Sequence, residues 1–327
     1  MKDIGLVGVP FSGKSTLFTA LTRAGAAGGR ANQAVVPVPD ERLAVLAELE
    51  RSAKIVPAQV RFVDVPGGTG SAQGVASLRE TDALCIVVRA FGGDAKPADQ
   101  LAEVTAELLL ADLAVVESAL ANARKRLKGK KESSEEVTVL ERAHEALSSE
   151  RLLRDEAFDK AELQHLLAIA PLTLKPWIVV ANLDEGTGVP EGLPEGTVGV
   201  YASIEAETAE MPQDEARALL EEFGVSKPGL DEVIAAGYRA LDLITFLTTG
   251  EDESRAWEVR RGATAPEAAG VIHTDLERGF IRAEVETYDD LVAAGGWDAA
   301  QAAGKLRVEG RDYAVQEGDV LHVRFAV

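Results

Sequence analysis

At 327 residues, with 46% hydrophobic and 27% charged side chains, the chain has an ordinary globular composition and room for two or three cores. A formal net charge of −20 repels nucleic acid as a whole, so DNA is excluded as a partner and any RNA contact needs a local basic face. The single cysteine, Cys85, lies in an apolar strand; it excludes an internal disulfide and a cysteine-clustered metal site, and suits a reducing cytoplasm. The longest apolar runs, such as Leu84–Val88 and Trp177–Ala181, are too short to span a bilayer, and Lys2-Asp3 before a short apolar strand does not read as a secretory leader.

The first element is Ile4–Val7, a short apolar strand that runs into Gly8-Val9-Pro10-Phe11-Ser12-Gly13-Lys14-Ser15-Thr16. That stretch fits G-x-x-x-x-G-K-[ST], and an amphipathic helix over Thr16–Arg23 leaves it, with Leu17, Phe18 and Leu21 on one face. A glycine-rich turn points successive backbone N–H groups at a polyphosphate, and the following helix adds its positive end. Gly8, Phe11, Ser12, Gly13, Lys14, Ser15 and Thr16 are therefore expected to contact nucleotide, with Lys14 on the β- and γ-phosphates and Ser15 on Mg²⁺.

A small, glycine-rich stretch (Ala24–Gln33) leads to Val35–Val38 and to a helix from Asp40, its expected cap, to Arg51. Val60–Val65 reads as a strand closing in Asp64-Val65-Pro66-Gly67, a D-x-x-G pattern. A carboxylate there is placed to be the second Mg²⁺ ligand, and the Gly67 N–H is placed to meet a γ-phosphate, so Gly67 joins Lys14 as a candidate catalytic group. Leu84–Val88 is apolar throughout, as a parallel strand buried on both faces requires.

From Leu109 the apolar positions Leu109, Leu113, Val116, Leu120, Ala123 and Leu127 alternate by four and three, the seam of a long helix. The basic cluster Arg124–Lys131 follows, with a turn at Gly129 and Ser133-Ser134, and then a second helical stretch through Val137, Leu140, His144 and Leu147. The cluster fits either a solvated helix end or a contact with an RNA backbone. His144 has no histidine or cysteine partner nearby and reads as a packed or half-exposed histidine rather than a metal ligand. The sheet resumes with Trp177–Ala181, which runs into Asn182-Leu183-Asp184-Glu185, and with Val198–Tyr201, which runs into Ala202-Ser203. Helices over Gln213–Phe223 and Gly229–Leu241 precede a compact α+β module with strands Ile244–Leu247, Ala256–Arg260, Phe280–Val285, Leu306–Val308 and Leu321–Phe325. Its one central helix is capped by Thr264 and carries Pro266 in its first turn.

In this order the chain resembles the YchF subfamily of Obg-like P-loop NTPases over nearly its whole length. The likeness is carried by Val36–Asp40, Arg79–Ala83, Pro176–Glu185 and Ile204–Glu207, and above all by Ala269–Asp275 and Glu277–Ile281, which are similar to the family's TGS domain. The fold class implied is α/β, a P-loop NTPase parallel sheet with an inserted coiled-coil-like helical arm and a C-terminal α+β β-grasp (TGS) domain. The expected domains are 1–96 with 176–241 for the NTPase, 97–175 for the arm and 242–327 for the TGS-like module. The resemblance implies a cytoplasmic, ribosome-associated ATP-binding protein that meets ribosome or ribosomal RNA through the arm tip and the TGS domain.

Asn182, Leu183, Glu185, Ala202 and Ser203 are the expected base-side contacts. Most GTPases place Asn-Lys-x-Asp there, and the Asp carboxylate accepts from guanine N1–H and its amino group. Here Leu183 and Glu185 hold those positions, which removes the main reason to prefer GTP and puts ATP ahead. A shifted register using Asp184 for guanine is the competing reading. Four departures from the family stand out: Phe11-Ser12 replace Asn-Val, no threonine lies between Arg23 and Asp64, no histidine or glutamine directly follows Gly67, and Ala202-Ser203 replaces Ala-Lys. The expectation is retained purine nucleotide binding with slow Mg²⁺-dependent hydrolysis; a non-hydrolysing scaffold gated by nucleotide is the alternative. A small-molecule kinase is disfavoured because no acceptor site or lid is in evidence.

Overall fold

The computed structural model describes residues 1–24, 32–128, 134–225 and 228–326. They fall into two compact units: Lys2–Val36 with Arg61–Gly237, and Pro37–Val60 with Met1 and the chain from Tyr238 onward.

The larger unit is built on a six-stranded sheet in the order Gln33–Pro37, Gln59–Asp64, Lys2–Val7, Ala83–Ala90, Trp177–Leu183, Val198–Val200. The last four are parallel: Val7 lies beside Ile86, Arg89 beside Asn182, and Asn182 beside Val200. Their carboxyl ends therefore share one edge of the sheet, where open α/β sheets bind ligands. Ala83–Val88 is buried at every position, which explains its unbroken apolar run.

The arm consists of helices Pro97–Lys128 and Ser134–Ser148 packed on each other, with Lys160–Leu167 and two short 3₁₀ turns at the base. Val116, Leu120 and Ala123 meet Val137, Leu140, Ala143 and Leu147 along the seam, while Leu113 and Leu127 are only partly covered. His144 is half-exposed, with its ring nitrogens 3.4 Å from Glu117 Oε1 and 3.5 Å from Ser148 Oγ. At the tip, Arg124 and Arg126 pair with Glu141 and Glu136 of the facing helix, each at 2.7 Å. The expected turn at Gly129 and Ser133, together with Lys130 and Lys131, lies outside the described residues.

One buried carboxylate ties the arm to its base. Asp112 is fully buried on the long helix and accepts from Arg79 Nη1 (2.7 Å), Leu172 N (2.9 Å), Thr173 N (2.7 Å) and Thr173 Oγ1 (2.8 Å). Arg79 also donates to the Ala170 and Ala111 carbonyls, and Lys175 caps the Arg79 and Thr81 carbonyls. Such a charge is tolerated because each of its two oxygens accepts two hydrogen bonds, one of them from a guanidinium.

The smaller unit carries a second six-stranded sheet in the order Arg307–Glu309, Phe280–Thr287, Asp319–Phe325, Leu243–Thr248, Ser254–Arg260, Ile55–Val56. Val320 runs parallel beside Leu247, and helix Ala265–Ile272 closes a core of Ile244, Phe246, Val285 and Leu321. Thr264 caps that helix reciprocally with Glu267, as its spacing suggests.

Three features differ from the sequence reading. The module has more than one helix: Tyr288–Ala294 and Trp297–Ala302 are short, alanine-rich and too brief to show a period. Residues 37–60, expected with the phosphate-loop domain, pack in the smaller unit: Ile55–Val56 pairs with Ser254 and Arg255, and the Glu50 carboxylate accepts from Trp297 N at 2.6 Å. A two-residue strand contributes no alternation to read. Finally, the helix expected from Asp40 begins at Arg42 with Glu41 at the N-cap position. Asp40 instead accepts from Arg42 N (3.1 Å) and clasps the Arg42 guanidinium, whose pKa this pairing raises.

Candidate functional site

The turn between the first strand and helix Lys14–Ala24 is shaped by backbone constraints. Gly8 has no room for a side chain, since a Cβ there would lie 2.6 Å from both Ser12 Oγ and the Val87 carbonyl. Gly13 has φ +86°, and a Cβ there would fall 1.9 Å from Asn182 Nδ2. Phe11 takes the left-handed conformation at φ 66°, which L side chains adopt at a cost, and its ring is 88% exposed. The loop helps wall a cleft of about 680 Å³ lined by Gly8–Thr16, Gly67–Gly70, Glu103 and Glu107.

Lys14 donates to the carboxylate of Asp64, and both side chains are about four-fifths covered, at 19% and 23% exposure. The lysine of the loop and the aspartate of the neighbouring strand end are thus brought together. Ser15 is exposed at the first turn of the helix. The Ser15 hydroxyl and the Asp64 carboxylate are hard oxygen donors, the chemistry that suits Mg²⁺. Ser12 is buried, its hydroxyl turned under the loop against Gly8 without a partner among the described residues, so it presents only backbone to the cleft.

The base-side residues are placed differently from one another. Asn182 is buried; its amide donates to the Ser12 carbonyl at 3.4 Å, and its oxygen accepts from Ala202 N at 3.3 Å. Its side chain therefore links the phosphate loop to the loop after Val198–Val200, rather than offering a free edge to a base. Leu183 is buried in the sheet core and packs over Gly199. Asp184 accepts from Gly92 N at 2.8 Å, while Glu185 and Ser203 are exposed. Ala202 is fully buried. Leu183, Glu185, Ala202 and Ser203 do not line the cleft of the phosphate loop.

Glu205, one turn on, is buried and accepts from Tyr201 N, Gly229 N and Leu230 N, capping helix Gly229–Ala240; burial raises its pKa against the pull of those three donors. Ser52, the only hydroxyl between Arg23 and Asp64, bonds to the Gly250 carbonyl (2.6 Å) and Ser254 Oγ (2.8 Å) and is not a substitute for the absent switch threonine.

Sequence reasoning passed over Thr69, Glu103 and Glu107. Thr69 Oγ1 donates to Glu107 Oε2, joining the loop after Gly67 to the long arm helix. The available signal was the spacing: Glu103 and Glu107 are four apart, a like-charge pair on one helix face that destabilises an isolated helix.

Residues 3–119 match the family described as 50S ribosome-binding GTPase, and residues 243–326 match the YchF-GTPase C-terminal family, described as a protein of unknown function. Over 360 aligned positions the chain is 43% identical to the protein named Ribosome-binding ATPase YchF of Haemophilus ducreyi, covering 99% of each. The chain belongs to the YchF family. The YchF protein of Bacillus subtilis, also named a ribosome-binding ATPase, is 40% identical with 99% of each chain covered. The solved structure of the YchF GTPase of Schizosaccharomyces pombe superposes with a TM-score of 0.88 at 31% identity, over 99% of this chain and 97% of that one. The architecture of P-loop sheet, helical insert and C-terminal sheet module is thus that of YchF. The names of these YchF relatives divide between ATPase and GTPase, so the choice of purine rests on the residues themselves.

Proposed function

We propose that this chain is a purine-nucleotide-binding YchF protein that prefers ATP, hydrolyses it slowly with Mg²⁺, and acts at the ribosome in the cytoplasm. The observation that carries the reading is the cleft of the glycine-shaped turn, lined by a Lys14 that is paired with the Asp64 carboxylate. In this reading Lys14 moves from Asp64 to the β- and γ-phosphates, backbone N–H groups from Gly8 to Thr16 hold phosphate oxygens, and Gly67 N–H meets the γ-phosphate. Ser15 and Asp64 hold Mg²⁺, which would offset phosphate charge.

ATP preference is supported by what stands where guanine would be read. Leu183 is apolar and buried, and the Asp184 carboxylate already accepts from Gly92 N, which counts against a shifted guanine register. Asn182 then serves the base side indirectly, by fixing the loop, with the exposed Glu185 and Ser203 bordering the purine. Slow turnover is supported by the absent threonine between Arg23 and Asp64 and the absence of histidine or glutamine directly after Gly67.

Ribosome association is proposed from the relatives' names and from the arm tip, where Lys125 and Lys128 are exposed beside the two paired arginines. The 97–175 arm and the 242–327 module would supply the contact surfaces. Calorimetry with Mg-ATP and Mg-GTP tests the purine: ATP is expected to bind at least about tenfold tighter, and equal or tighter GTP binding overturns the preference. Cosedimentation with ribosomes is expected to weaken when Arg124, Lys125, Arg126 and Lys128 are neutralised; unchanged binding removes the arm tip from the interface.

A further inference from the structure

Two carboxylates line the same cleft as the phosphate loop, and nothing in nucleotide binding asks for them. Glu103 and Glu107 come from the arm helix, not from the loop after the D-x-x-G pattern. A negative charge opposite a triphosphate opposes binding by simple Coulomb repulsion. Such a group belongs in the cleft only if it does something that binding alone does not need.

The two glutamates differ in how they are held. Glu103 is exposed. Glu107 is half-buried and is anchored through Oε2 by the hydroxyl of Thr69, two residues after Gly67, while no cation pairs with it among the described residues. One carboxylate oxygen is thus tied to the loop that presents Gly67, and the other has no bonding partner among the described residues. The loop itself offers no side chain for a water: Gly67, Gly68 and Gly70 have none, Thr69 is spent on Glu107, and Gln73 lies on the following helix, exposed and outside the cleft.

We propose that Glu107 is the catalytic residue that holds and deprotonates the attacking water, with Thr69 as its positioning residue. The proposal rests on the nucleotide reading above. The water oxygen forms a bond to the γ-phosphorus while the bond from that phosphorus to the β–γ bridging oxygen breaks. The electron pair of the broken bond stays on the β-phosphate of ADP, the water proton passes to the free oxygen of Glu107, and inorganic phosphate departs before that proton returns to solvent. Positioned general bases contribute roughly 10²- to 10⁴-fold. A base on the arm helix also means that displacement of the arm shifts the catalytic carboxylate.

The test compares wild type with Glu107→Gln, Glu107→Ala, Thr69→Val and Thr69→Ser in the full-length protein, by single-turnover hydrolysis of Mg-ATP and by binding of a fluorescent ATP analogue. Glutamine keeps an oxygen for the Thr69 hydroxyl but has no basic oxygen. The base assignment expects Glu107→Gln and Glu107→Ala to lose rate equally, by about 10²-fold or more, while the analogue binds about threefold tighter because a repelling charge is gone. Added formate restores part of the rate to Glu107→Ala and none to Glu107→Gln, which still fills the space. Thr69→Val slows turnover about tenfold and Thr69→Ser stays near wild type, since only the hydroxyl matters.

A Glu107→Gln protein that hydrolyses at the wild-type rate overturns the assignment and makes Glu107 a structural clasp. Weaker binding of the analogue by Glu107→Gln overturns it too, because the carboxylate would then be holding cation. Wild type that binds the analogue and never turns it over refutes the base while leaving the binding reading intact. Wild type that binds neither purine triphosphate removes the nucleotide reading, and this assignment with it.

Discussion

Replacing Asp112 by alanine is expected to break the junction between the arm and the sheet. The side chain is fully buried, and its carboxylate is met by the Arg79 guanidinium, two backbone amides and one hydroxyl. Removing it leaves Arg79, itself only 14% exposed, without a counter-charge, and leaves the Leu172 and Thr173 amides without their acceptor. Breaking one side of a buried ion pair costs about 3–5 kcal/mol, and an orphaned buried donor adds about 1–3 kcal/mol. These contributions share partners and do not add, so the expected loss is about 4 kcal/mol. Trp177 reports on this region directly, because its Nε1 donates to the Leu172 carbonyl at 3.2 Å and Arg154 lies 4.0 Å over its ring. In a background with Trp257 and Trp297 changed to phenylalanine, urea unfolding followed at Trp177 should shift down by about 2 M for a slope of about 2 kcal/mol per molar. Asp112→Asn should fall between, and Arg79→Met with Asp112→Leu should recover part of the loss because no charge is left alone. A shift for Asp112→Ala worth under about 1 kcal/mol would refute the reasoning.

Three further outcomes are expected. Gly13→Ala places a methyl group 1.9 Å from Asn182 Nδ2 at a backbone angle of +86°, so Mg-ATP affinity should drop about tenfold or more; wild-type affinity in a titration would show that Asn182 yields freely. Phe11→Asn relieves a left-handed aromatic residue that is 88% exposed and should raise stability by on the order of 1 kcal/mol, so a lower melting temperature would speak against strain at this position. Burial, then Arg324, lower the pKa of His322, with Glu284 opposing, so its neutral form is favoured in the fold. Stability from this group is present above the unfolded histidine value of about 6.5 and is lost as pH falls through the lower folded value. Trp297, whose ring centroid is 5.7 Å from that of His322, should report a titration with its midpoint below about 6.5 when it is the sole tryptophan; a midpoint above that value would contradict the assignment.

The most legible parts of the chain were those in which one residue type has one physical use. Gly8 and Gly13 announced the turn because only glycine fits there, and the unbroken apolar run at Leu84–Val88 announced a strand covered on both faces. The arm's seam was read from four-and-three spacing, and Val116, Leu120 and Ala123 are buried on it. Long-range polar pairing was not readable. Asp112 looks like any helix aspartate until Thr173 folds back onto it, 61 residues away. Glu107 stayed hidden for the same reason: its partner Thr69 lies 38 residues earlier, across a turn of four residues with three glycines. Asn182 was expected at the base edge, yet its side chain links the Ser12 carbonyl to Ala202 N, because strand register places it next to Val200 and over Gly13. Residues 37–60 defeated a linear reading because a two-residue strand and one half-buried hydroxyl decide where they pack.

Under the proposed reading, two of the charged groups at the cleft are already held before nucleotide arrives. Lys14 is neutralised by Asp64, and Glu107 is held by the Thr69 hydroxyl. A triphosphate that takes Lys14 leaves Asp64 facing phosphate oxygens with no partner, and an unpartnered, partly buried charge is the expensive outcome. Nucleotide without a divalent cation is therefore opposed by the same carboxylate that welcomes nucleotide with one. The ordering that a first-switch threonine gives other members falls, in this chain, on a single aspartate at a strand end. That is a coupling of binding events, set by the difference between two ion pairs, and it needs no moving loop. Hydrolysis is a separate requirement, because releasing Asp64 does nothing to align a water. A protein built this way can bind Mg-ATP selectively and still turn it over only as fast as the arm helix lets Glu107 reach its water.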